Sequence, residues 1–211
     1  YTPTLSTDSI YKLQIRCKDL AGNQSSATTS NSYTLDTTAP SAPIFSTQPS
    51  SPDNDTTPTW RWNAVSGASH YSYRLSSNNG STYGSWSSWI TNITSYTPTL
   101  STNATYKLQV KCKDSLGNQS SATTSNSYTL DTVAPAAPTF SVLPPSPSNN
   151  KSFTWKWNSV SGATHYAFRT SPNNGSTYLS WSPWTTDREH TVTLTGSGNS
   201  ESTWRLQVKC K

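Results

Sequence analysis

Carboxylates and imidazoles are what this chain would need for an acid–base site, and they are scarce. Its two glutamates, Glu189 and Glu201, sit at positions that do not recur elsewhere in the sequence. His70 and His165 do recur, as do Asp19 with Asp114 and Asp36 with Asp131. These aspartates fall in turn-forming or linker sequence, where a short carboxylate bonds to nearby backbone N–H groups. No nucleophile or carboxylate recurs within a few residues of the histidines, so a triad would have to assemble from distant segments. The chain is expected to have no catalytic residue and no cofactor.

Metal chemistry has one candidate. Asp53-Asn-Asp55 offers the hard oxygen ligands that calcium prefers. The corresponding stretch further on is Ser148-Asn-Asn-Lys151, which brings an ammonium where a ligand is needed. Turn formation is therefore the preferred reading, and no metal is expected. Cys17, Cys112 and Cys210 are the only cysteines. Nearly a hundred residues separate each from the next, which suits neither a zinc site nor a framework of disulfides within domains. They are expected to be buried free thiols acting as small apolar side chains.

Two surface features remain. Trp86-Ser-Ser-Trp89 and Trp181-Ser-Pro-Trp184 are aromatic pairs whose preferred reading is packing within the repeat or against the next one; a sugar ring stacking on an exposed member is the alternative. On a regular strand a spacing of three puts the two rings of a pair on opposite faces, one for the core and one outside. The outer ring is then within reach of Arg74 or Arg169 as a cation–π partner. The second feature is a run of cations, Lys107, Lys111 and Lys113, extended by Arg74 and His70 on a neighbouring strand. Such a stripe suits acidic polysaccharide, lipopolysaccharide or DNA by charge alone. Lysine is also the ordinary means of keeping a β-surface soluble and unpaired, and the net charge is only +5.

The elements that hold these residues come from a repeat. Tyr106-Lys-Leu-Gln-Val-Lys-Cys-Lys-Asp-Ser-Leu-Gly-Asn-Gln119 occurs almost verbatim at Tyr11 to Gln24, and its first half returns from Trp204. Period-two reading places Tyr106, Leu108, Val110 and Cys112 on an inner face and the lysines outside. Tyr1 returns as Tyr96, Trp60 as Trp155 and Trp86 as Trp181, a shift of 95 residues. A period of this length is a domain, not a solenoid repeat. Near the end residues 195–200 lengthen one loop. The inferred segments are 1–38, the C-terminal part of one repeat, then 39–133, a complete repeat, and 134–211, a repeat without its last strand.

Within one repeat, strands are predicted at 44–47, 56–63, 70–76, 85–90, 94–100, 106–113 and 121–130. Trp60 and Trp62, then Tyr71, Tyr73 and Leu75, point inward. Pro40, Pro43, Pro135 and Pro138 mark semi-rigid linkers that hold neighbouring repeats apart and in line. The chain is 31% hydrophobic and only 12% charged, with nine Trp and eleven Tyr in a background that is about one-third Ser and Thr. Short strands with frequent turns and no helical period predict an all-β fold of tandem antiparallel sandwiches. No apolar run is long enough to span a membrane as a helix.

Tyr106-x-Leu-x-Val-x-Cys112 followed by Gly-Asn resembles the sixth strand of a fibronectin type III or bacterial Ig-like domain. Trp62 matches the core tryptophan of that family's second strand, and Tyr71-x-Tyr73 its third. The family usually has a small residue where Cys112 stands. The Asp-Thr-Thr-Ala-Pro linker is similar to those joining tandem Ig-like units of large bacterial surface proteins. Tyr-Arg-Leu followed by Trp-x-x-Trp is also similar to the Y-Y-Y β-sandwich module of bacterial sensors.

This resemblance implies an extracellular or cell-surface segment acting as spacer or scaffold in a stalk, filament or adhesin. Its expected partners are neighbouring copies of itself, with cell-surface glycans as candidates and no specific nucleic acid. A carbohydrate-binding module using the Trp pairs and the basic face is the alternative, and a sensor ectodomain the second. Trp62, Tyr71, Tyr106, Leu108, Val110 and Cys112 are expected to build the core.

Overall fold

Strand Thr105–Lys113 organises the best-formed part of the molecule in the computed structural model, which describes residues 1–195 and 202–211. The expected long loop at 195–200 lies, apart from Thr195, outside the described residues, as does Glu201. The described chain forms two compact units, Tyr1–Thr132 and Val133–Lys211, and contains strands but no helix.

The first unit begins with β1 (Ser9–Tyr11), β2 (Gln14–Ile15), β3 (Thr28–Thr29) and β4 (Tyr33–Leu35). They pair antiparallel, β1 with β4 and β2 with β3. Then follow β5 (Phe45–Thr47), β6 (Trp60–Trp62), β7 (His70–Ser76), β8 (Ile90–Thr91), β9 (Ser95–Tyr96), β10 (Thr105–Lys113), β11 (Thr123–Thr124) and β12 (Tyr128–Thr129). One sheet has the order β5-β6-β9. The other has β11-β10-β7-β8, with β12 also on β10. The second unit repeats the plan with β13 (Phe140–Val142), β14 (Ser152–Trp157), β15 (Tyr166–Ser171), β16 (Glu189–Thr193) and β17 (Arg205–Cys210). Its sheets are β13-β14-β16 and β15-β17.

Alternation along β10 buries every second side chain, and β7 answers it residue for residue. Leu108 lies opposite Leu75, Val110 opposite Tyr73 and Cys112 opposite Tyr71. Tyr106, Leu108, Val110, Cys112, Trp62 and Tyr71 are all buried, together with Trp60, Tyr128 and Leu130. Large rings fill this core edge to face. Trp60 meets Tyr128 at 5.8 Å and Trp62 meets Phe45 at 6.4 Å, the geometry that ring quadrupoles favour. In the second unit Trp155, Trp157, Tyr166 and Leu206 form the buried centre.

Several expectations change. Cys17 is exposed, not buried, because residues 1–38 contain no counterpart of Trp62 and Tyr71 to cover it. Tyr73 and Leu75 point inward but are only half-buried. The strand expected at 56–63 pairs only over Trp60–Trp62, and the one at 121–130 breaks into β11 and β12. Ser125 sits at that break, where its Oγ takes the Leu108 N–H at 2.9 Å. Pro43 is fully buried, so part of the expected linker belongs to the sandwich interior. The Cys112 thiol donates to the Ser41 carbonyl oxygen at 3.3 Å and ties that stretch down. Finally, 85–90 is not a regular strand. Only Ile90 and Thr91 pair as β8.

Candidate functional site

Residues 83–89 lie across the outer face of β7 and β10, the face expected to be an open stripe of cations. Ser72 and Ser76 belong to that face, yet each is only 1% exposed. Ser72 Oγ donates to the Ser87 carbonyl oxygen at 2.8 Å. Ser76 Oγ accepts the N–H of Gly80 at 2.9 Å and donates to Asn78 Oδ1. Asn79 and Gly80 both adopt positive φ, 57° and 87°, as a tight hairpin turn requires. A Cβ on Gly80 would also come within 3.1 Å of the Tyr83 hydroxyl and 3.2 Å of Lys107 Cδ. The turn therefore needs glycine twice over, and it delivers Tyr83 onto the sheet.

From there the Gly84 N–H donates to the Leu75 carbonyl oxygen at 3.0 Å, and Ser87 holds the segment at two further points. The Ser87 N–H donates to the Tyr73 carbonyl oxygen at 2.8 Å. Its Oγ accepts the Tyr73 N–H at 3.0 Å. A side-chain oxygen thus takes the place of a backbone carbonyl in the ladder. Tyr83, Trp86 and Trp89, three apart, consequently share one face. An extended threefold chain has this period, a pleated strand does not. The expectation that Trp86 and Trp89 face opposite ways, one into the core, is therefore corrected.

The three rings alternate with three cations. Arg74 Cζ lies 4.9 Å from the Tyr83 centroid and 4.5 Å from that of Trp86. Lys111 Nζ lies 4.5 Å from Trp86 and 5.2 Å from Trp89. Lys113 Nζ follows at 4.8 Å from Trp89. Gln109, opposite Arg74 in the sheet register, accepts from its Nε at 2.8 Å, and Gln119 accepts from Lys111 Nζ at 3.0 Å.

The second unit builds the same object. Arg169 stands 4.8 Å from Tyr178 and 4.6 Å from Trp181. Lys209 reaches Trp181 at 4.3 Å and Trp184 at 5.3 Å, and Lys211 reaches Trp184 at 4.7 Å. Ser182 Oγ takes the Phe168 N–H, and Gln207 accepts from Arg169 Nε. Trp181 is half-buried and Trp184 is 40% exposed.

A cation over an exposed ring is worth about 0.5–1 kcal/mol. Five such contacts per unit bring about 2.5–5 kcal/mol before non-additivity, against a typical domain stability of about 5–15 kcal/mol. Opposing this, cations two residues apart on a strand sit about 7 Å from one another. In water that repulsion is about 0.6 kcal/mol. Attraction to the rings therefore outweighs repulsion, and a row of unneutralised charge is held in place. The ion pair of Lys156 with Glu189 lies outside this row.

The remaining polar residues are committed to turns. Asp19 is held below the ordinary carboxylate range by hydrogen bonds from the Asn23 side chain and backbone. Asp53 is lowered likewise, first by the Ser50 hydroxyl and then by the Asn54 N–H. Asp55 Oδ1 accepts from both the N–H and the hydroxyl of Thr57. Asp53-Asn-Asp55 is thus built as a turn. Among the described residues no group of three His, Cys, Asp or Glu could hold a metal ion. His70 stays on the outer face, with Nδ1 2.8 Å from Ser69 Oγ.

Tyr83, Tyr178, the three glutamines and the two docking serines were not singled out from the sequence as site residues. Their signal was the Tyr-x-x-Trp-x-x-Trp period of three opposite cations at period two.

No protein-family model matches the chain. It is 32% identical over 139 residues to exoglucanase B of Cellulomonas fimi; that match takes in 61% of this chain but spans only 12% of the relative. Among solved structures, FN3tt mut is 32% identical, covering 44% of this chain and 97% of that one, with a TM-score of 0.34. The two-domain fibronectin type III segment of chicken tenascin is 15% identical, covering 82% of this chain and 91% of that one (TM-score 0.33). The FN1-FN3 domains of chicken CNTN1 are 13% identical over 94% of this chain and 71% of theirs (TM-score 0.37). The strand order and register are those of antiparallel β-sandwiches, and the chain is similar to fibronectin type III domains.

Proposed function

We propose that this chain is a non-catalytic connector from an extracellular or cell-surface protein, in which each sandwich acts as a spacer. The observation that carries the reading is the closed aromatic–cation row. The largest exposed-face rings of each unit are spent on clamping that unit's own 83–89 or 178–184 segment to its sheet. Such a clamp resists peeling of an outer segment, which suits a module that holds other parts at a distance. The likeness to a stretch of an exoglucanase supports placement in a secreted protein beside a domain that does the chemistry. A stalk, filament or adhesin would use the module in the same way.

Single-molecule pulling of the chain tests this directly. Discrete unfolding events are expected, with forces that drop in the Trp86→Ala, Trp181→Ala variant. Unfolding at forces unaffected by the loss of both rings would refute the clamp. Turnover of a polysaccharide by the purified chain would refute the non-catalytic reading.

A second reading has one specific observation in its favour. Trp184 is the most exposed of the four paired tryptophans and carries its cations at 5.3 and 4.7 Å, so a neutral glycan could still stack on it. Loss of glycan retention on Trp184→Ala, with folding intact, would favour that use.

A further inference from the structure

We infer that the aromatic–cation row of each unit is a prearranged binding face for a linear polysaccharide bearing carboxylate groups. This goes beyond the spacer reading and does not rest on it. Lysine and arginine on a free β-surface are mobile, and an anion that binds them must first order them. Here the rings have already done so. Arg74, Lys111 and Lys113 are fixed 4.5 to 5.2 Å from ring centroids, and the second unit fixes Arg169, Lys209 and Lys211 in the same order.

An indole orders an ammonium without neutralising it. No ion pair reaches any of these six cations among the described residues. The hydrogen bonds of Arg74, Lys111 and Arg169 to neutral glutamines leave further N–H donors, since an ammonium carries three and a guanidinium five. The result is a short line of ordered positive charge whose members repel one another along the sheet. A chain of carboxylates laid along it supplies acceptors and relieves that repulsion. Within each unit the line holds three cations, which suits a chain bearing several carboxylates better than a single small anion.

Nucleic acid offers the same charge but is disfavoured by the rings. Single-stranded binding draws on bases stacking on free aromatic faces, whereas here cations lie over the rings. A polyuronate needs only the cations.

The test is titration of the whole chain with sodium alginate at low salt, followed by isothermal calorimetry and tryptophan fluorescence. Neutral dextran and oligothymidylate serve as comparison ligands. Binding to alginate that weakens with added salt is expected, along with a rise in the thermal midpoint. The Lys111→Gln, Lys209→Gln variant should bind at least fivefold more weakly. The Arg61→Gln, Arg188→Gln variant, which loses equal charge away from the row, should bind as the parent does.

If the first variant fails to fold, Lys113→Gln, Lys211→Gln replaces it, since each of these lysines touches one ring only. Three results would overturn the inference: no alginate binding, equal loss in the on-row and off-row variants, or tighter binding to oligothymidylate of matched charge.

Discussion

Ser87 decides where two tryptophans go. Its Oγ accepts the Tyr73 N–H that a regular neighbouring strand would have bonded through a carbonyl. Ser87→Ala leaves that part-buried donor without its partner and should cost about 1–3 kcal/mol. Ser88→Ala, at an exposed neighbour, should stay within about 0.5 kcal/mol; urea unfolding of the two variants makes the comparison. The contact of Trp86 with Lys111 can be isolated by a double-mutant cycle using Trp86→Leu and Lys111→Met. A coupling of about 0.5–1 kcal/mol is expected, while simple additivity would mean that the 4.5 Å contact contributes nothing. From the sequence, Arg74 and the tryptophans could be brought together by strand order. The shared face of Trp86 and Trp89 was not legible, because it depends on a serine side chain replacing a backbone acceptor.

At the scale of elements, strands with strict alternation were readable and short polar ones were not. β10 shows an apolar residue at every second position and pairs with β7 along its length, as the pattern demands. Ser/Thr-rich stretches carry no such signal, so 56–63 and 121–130 were read as longer than they are.

One pair of equivalent positions has a consequence for pH. Tyr96 packs on Tyr73 in the first unit, with ring centroids 4.0 Å apart and the rings tilted by 31°. In the second, His190 of β16 stacks on Phe168 at 4.1 Å. Burial lowers the His190 pKa. Below its ordinary value near 6.5 the unfolded chain takes up a proton that the folded unit resists. Stability of the second unit is therefore full above about pH 6.5 and declines as the pH falls below it. His190→Tyr should remove that component of the acid loss. Thermal melts at pH 7.5 and 5.0 provide the check; an equal acid loss in parent and variant would rule it out.

For the whole molecule, the repeat carried most of the information. A shift of 95 residues established tandem units, and large rings in a Ser/Thr background established a sandwich whose core depends on a few aromatic side chains. What the repeat did not reveal is that the outer face is covered as carefully as the inner one. Both units hold Tyr, Trp and Trp over a cation row, so the clamp is a property of the unit and not of one position. A loss of stability that begins near pH 6.5, above the carboxylate range, marks the transition that belongs to the second unit.

The most direct measurement is therefore urea unfolding of the complete chain carrying either Trp86→Ala or Trp181→Ala. Each substitution removes two cation contacts and the packing of one ring. The transition of the unit that carries it should fall by about 1–3 kcal/mol. Transitions unmoved by either substitution would contradict the claim that the aromatic–cation row holds each sandwich together.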